Sequence, residues 1–191
     1  MSEQIKGYAY GQVAQSPVDL EVLDLLKTTV FFSDEDVKSL RLAGEVLKDQ
    51  TNEVLDLWYG YVGSHQHLIH YFSSSAGADT HYLAAVRERF KQWVLDLCNK
   101  PFDQTWLNYQ HEIALRHLVT KNRTDDADAA PFVHYRYMIA FIFPITITIR
   151  GFLASKGHDA DTVEAMYNAW FKAIVLTTIL WTQPYVKDGK F

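Results

Sequence analysis

Apolar residues recur along almost the whole chain at steps of three and four, and the alternation of a half-buried strand is nearly absent. Tyr82, Val86, Phe90, Trp93 and Leu97 make one such stripe. Val37, Leu40, Ala43, Val46 and Leu47 make another, and Val54, Leu55, Trp58 and Tyr61 a third. A chain patterned this way folds as an all-α protein, with about six to eight helices of unequal length. The start signals agree. Ser33 precedes Asp34, Glu35 and Asp36, placing acids where the helix dipole favours them. Asp79 and Asp103 are further caps, and Ser16-Pro17 is predicted to open a short helix carrying Leu20, Leu23 and Leu26. HQHLIHYF reads as a short helix or turn before the SSSAGA break. Asp161 with Glu164 resembles a capping box for a last helix running to about Thr182, before Pro184.

The chain has 191 residues, the size of one domain, with no internal repeat and no long linker. Five Trp, eleven Tyr and eleven Phe give a bulky interior suited to lining a pocket; an aromatic-rich core would use them equally. Net charge is −5 and no basic face is evident, which disfavours nucleic acid and anionic lipid as partners. The lone Cys98 cannot form an internal disulfide and fits a reducing, cytoplasmic setting. The N-terminal MSEQIKGYAYG lacks the basic start and apolar run of a signal peptide. The longest apolar run, Tyr137 to Ile149, falls short of the ~20 residues of a membrane span. It is expected to lie in a buried helix from about His134 to Leu153, with Pro144 kinking or loosening it.

Within HEIALRHLVT, a histidine sits on an inward stripe. Trp106, Gln110, Ile113 and His117 step by four, three and four, so His117 points at the interior near a helix end. Two readings stand. His117 is a core histidine satisfied by a hydrogen bond, or it is a metal ligand of the kind haem iron takes, for which a single imidazole suffices. In either case the carbonyl of Ile113, one turn back, can fix its tautomer. Other metal motifs are weaker. His65, His67 and His70 form HxHxxH without an acidic or thiol partner beside them, and no ExxH pair, HExxH, GxGxxG, Walker loop or GxSxG occurs.

Trp58-Tyr59 is a second anomaly, because adjacent residues cannot share one narrow helical stripe. A buried Tyr59 hydroxyl needs a partner, either a backbone carbonyl or a guest in a cavity. Phe90 and Phe141, on other helices, could wall such a cavity. Arg87 and Arg89 flank the stripe of VRERF and suit either solvent or a carboxylate.

Taken together, GYAYG, LWYGYVGSHQHLIHYF, YLAAVRERFKQWVLD, WLNYQHEIALRH, YRYMIAFIFPIT and MYNAWFKA resemble the protoglobins, in order and with spacing kept over nearly the whole chain. The resemblance implies a globin fold, a helical sandwich around haem b (iron protoporphyrin IX), with residues 1–30 as an N-terminal extension and extra helix and 33–191 as the globin core. It implies His117 as proximal iron ligand, Tyr59 as distal hydrogen-bond donor and Trp58 beside it. Phe90, Phe141 and Ile145 take pocket positions, Tyr82 and Val86 fall on the haem-facing stripe, and Arg89 stands where an arginine approaches a propionate. The last two helices correspond to a homodimer interface. The chain departs from the family in carrying Leu118-Val119-Thr120 after the histidine, and in the acidity of KNRTDDADAAPFV.

The function implied is reversible binding of a diatomic gas, O2, CO or NO, at a five-coordinate iron, in a sensor or carrier. No output domain is expected after the last helix. Two alternatives stand beside it: a haem enzyme (NO dioxygenase, peroxidase or carbene transfer), and a helical interaction protein without haem.

Overall fold

Local chemistry sets the helix starts in the computed structural model, which describes residues 5–191. Helix α2 (Asp34–Leu47) opens with a full capping box between Ser33 and Asp36, and α3 (Thr51–Gly63) follows after a tight turn. Asp79 caps α5 (Thr80–Asn99) and Asp103 caps α6 (Gln104–His117), each accepting from a backbone N–H in the first turn. Between α3 and α5 lie the short α4 (Gln66–Ile69), a 3-10 turn (His70–Phe72) and a two-residue hairpin of β1 (Ser73–Ser74) and β2 (Gly77–Ala78). Two expected starts shift. Helix α1 (Leu20–Thr29) is capped by Asp19, whose carboxylate accepts from Val22; Ser16 is drawn away, its amide donating to Asn108. The last helix, α9 (Ala160–Thr182), is capped by Asp159, which takes both the amide and the hydroxyl of Thr162 and leaves Asp161 in the first turn.

Pro144 has the expected effect. It has no N–H to bond the Ala140 carbonyl, and its ring crowds that carbonyl. The apolar segment therefore divides at Phe141 into α7 (Tyr135–Ala140) and α8 (Ile142–Ala154). The expectation of a buried helix needs correction, however. Thr146, Ile149 and Leu153 face inward, but Tyr135, Ile139, Phe143 and Ile147, each four residues apart, are exposed, Phe143 at 72%. Tyr135–Ala154 is also long and apolar enough to cross a membrane by length and composition alone. It is broken at Phe141, however, and packs on α9.

Helix α9 is the axis of the core, packing against α2, α6, α7 and α8, while α2 also crosses α5. Its buried residues include Met166, Trp170, Ile174 and Leu176. Where α2 meets α5 the backbones approach closely: a Cβ at Gly44 would lie 2.9 Å from Cys98 Cβ and 2.8 Å from Asn99 Nδ2. Helices α3, α5, α6 and α8 do not fill the space between them, and the void they leave holds the site.

Candidate functional site

The cavity has a volume of about 190 Å³. Helix α3 contributes Trp58 and Tyr59, α5 contributes Tyr82, Val86, Arg89 and Phe90, and α6 contributes Ile113 and His117. Phe141 at the helix break and Ile145 in α8 complete the set. The residues that the resemblance marks as pocket positions thus border one space. Arg87 does not; it pairs with Asp56 at 2.8 Å and donates to the carbonyl of Asn52. The HxHxxH histidines are near one another, His65 and His67 with ring centroids 5.7 Å apart, but no metal-binding cluster occurs among the described residues.

His117 ends α6. Its Nδ1 lies 2.9 Å from the carbonyl oxygen of Ile113, one turn back. A carbonyl only accepts, so Nδ1 carries the proton and Nε2 keeps its lone pair. Trp181 of α9 stacks on the imidazole, centroids 5.0 Å apart and planes 29° off parallel. Trp181 is held in turn by its indole N–H, which donates to Oε1 of buried Gln110 at 2.8 Å. The ring is half-buried by surface area, yet its free edge opens on the cavity rather than on bulk solvent. Desolvation therefore dominates and pushes its pKa down to about 4, against the hydrogen bond it donates to Ile113, with Lys121 nearby adding to the decrease. The imidazole is neutral at pH 7, the form that binds metals.

Tyr59 belongs to a different packing cluster. Its ring meets Phe72 and Phe90 edge-on at 6.1 and 6.3 Å. Burial raises its pKa, so the hydroxyl keeps its proton, and it has no hydrogen-bond partner among the described residues. Trp58 meets Phe141 at 5.2 Å and Phe90 at 6.0 Å, closing this wall with apolar edges.

Three cations reach the cavity. Arg89 grips both oxygens of Asp125 at 3.1 and 2.5 Å and donates to the carbonyl of Lys6 at 3.0 Å. Its carboxylate partner thus comes from the acidic loop after α6. Arg116 pairs with Glu112 at 2.8 Å and donates to the carbonyl of Gly7 at 2.6 Å. The N-terminal strap is thereby fastened over the rim. Gly7 permits the approach: its φ is +78°, and a Cβ there would lie 2.4 Å from Thr124 Cγ2. Tyr8 pins the strap further, donating to Asp96 Oδ2 at 2.7 Å and packing with Tyr10 and Tyr109. The third cation, Lys121, is 6% exposed. Reading the sequence did not find Lys121, Arg116, Gln110 or Trp181 as site residues. Only Gln110 carried a local signal, since it shares the His117 stripe.

The helices and this histidine-bearing cavity define a globin fold, packed around a space with aromatic walls. A model of the Protoglobin family matches residues 19–191, nearly the whole chain. The chain belongs to the protoglobin family and is a haem globin. A comparison with curated proteins gives no match. The residues present fit the group the family implies: a neutral imidazole with one free nitrogen, apolar aromatic walls, an unpartnered tyrosine hydroxyl and cations at one side.

Proposed function

We propose that this protein binds haem b through His117 and reversibly takes up a diatomic gas. The observation that carries the reading is the state of His117: Nδ1–H is committed to Ile113, and Nε2 is the ring nitrogen left for the cavity. When bound, haem supplies an iron centre with affinity for O2, CO or NO. The chain supplies the rest. Ile113 fixes the imidazole tautomer, and Trp181, tethered by Gln110, fixes the ring plane. Tyr59 holds a proton on a hydroxyl free to donate to a polar guest, worth about 0.5–1.5 kcal/mol net. Trp58, Phe90, Phe141 and Ile145 keep water out and narrow the approach.

The exposed apolar row on α7 and α8, with Phe171 of α9 also exposed, supports a homodimer built on these helices.

An absorption spectrum tests the reading. Purified protein supplied with haemin should show a Soret band that moves on reduction and again on adding CO. His117→Ala should lose the five-coordinate ferrous spectrum or replace it with that of another ligand. A folded protein that stays colourless with haemin would overturn the assignment. Tyr59→Phe should speed O2 loss about two- to tenfold while leaving CO loss nearly unchanged, the range a single lost hydrogen bond allows.

A further inference from the structure

Of the three cations on the cavity wall, two are already matched. Arg89 has Asp125 and Arg116 has Glu112. Lys121 has no carboxylate within ion-pairing distance among the described residues, although it is the most deeply buried of the three side chains, at 6% exposure. Its ammonium has three N–H donors. One goes to the carbonyl of Tyr71 at 2.7 Å and one to Asn122 Oδ1 at 3.2 Å. Both acceptors are neutral. The Tyr82 ring, 5.1 Å away, adds a weak cation–π contact. A buried charge left with neutral partners is costly, and a chain retains such a charge where a counter-ion completes it. The Tyr71 carbonyl and Asn122 hold the ammonium in place at the border of the cavity, on the segment that follows His117.

We propose that Lys121, and not Arg89, is the residue that anchors a carboxylate of the cavity's guest, and that it selects a tetrapyrrole with free carboxylates over one whose carboxylates are masked. The inference rests on the haem reading, since it takes the guest to be a porphyrin. Arg89 is then a structural cation that ties α5 to the acidic loop and the strap. Burial lowers the Lys121 pKa to about 8, and an adjoining carboxylate restores its ordinary range.

The test uses the full chain, freed of haem, and two metal-free probes: protoporphyrin IX and its dimethyl ester. Neither depends on iron ligation by His117. Binding is read from quenching of the tryptophans, three of which border the cavity (Trp58, Trp93 and Trp181). The wild type should bind the diacid roughly 10- to 100-fold more tightly than the ester, the range of one charge-assisted hydrogen bond. Lys121→Gln, which keeps a donor for the Tyr71 carbonyl, should lose that preference by weakening the diacid alone. Lys121→Arg should retain it, and so should Arg89→Gln. Equal binding of both probes by the wild type overturns the role of Lys121 and leaves the porphyrin pocket standing, as does loss of the preference in Arg89→Gln. Binding of neither probe by the wild type removes the pocket reading and this inference together.

Discussion

The depressed basicity of His117 has a measurable effect on stability. In the haem-free protein its pKa is about 4, against an ordinary value of 6.5. Between those values the unfolded chain binds a proton that the folded chain does not, so stability falls as pH drops from 6.5 toward 4 and is unaffected by this group above 7. Integrating the linkage relation over the interval from pH 7 to pH 5 gives a loss of about 2 kcal/mol from this one residue. Urea denaturation of the haem-free protein at the two pH values, followed by tryptophan fluorescence, measures the total change. Other titrating groups contribute to that total, and a His117→Gln variant removes them from the comparison. Glutamine can still donate to the Ile113 carbonyl but does not titrate. The wild type should lose about 2 kcal/mol more than the variant between pH 7 and pH 5. Parallel losses in the two proteins would refute the idea that the protein surrounds the imidazole and holds it neutral.

Other consequences are simpler to test. Asp125→Asn leaves Arg89 without its counter-ion at a largely buried position, side chains 13% and 4% exposed, and should cost about 3 kcal/mol by chemical denaturation. Gly44→Ala forces a methyl into the α2–α5 crossing and should cost about 1–3 kcal/mol, read from the thermal midpoint. Gln110→Leu removes the acceptor for the Trp181 indole and should lower stability by about 1 kcal/mol or more, with a change in the ferrous spectrum once haem is bound; an unchanged spectrum would separate Trp181 from the proximal geometry. Phe143→Glu, on the exposed row, should convert a dimer to a monomer in sedimentation, and a monomeric wild type would remove the proposed interface.

Much of the fold is local in origin, and so it can be read from the chain. The caps at Ser33, Asp79 and Asp103 each depend on a few consecutive residues, as does the break before Pro144. The missed starts show the limit of such signals. Asp161 with Glu164 satisfies a pattern, but Asp159 two residues earlier has the extended backbone that a cap requires, and the chain takes it. The inward stripe of α6 was visible because Ile113 and His117 share it. The partners of His117 and of the cations were not, because they meet only in space. Trp181 is 64 positions from His117, and Asp125 is 36 positions from Arg89. Solvent exposure of α7 and α8 was likewise hidden, since an apolar row looks the same whether it faces a core or a second molecule.

Phe141 occupies the joint between two helical pieces whose outer surfaces carry Ile139 and Phe143, while its own ring rests on Trp58 inside. Exterior and interior are therefore one residue apart along the backbone here, and a partner seated on the outer row would lie directly behind a wall of the cavity.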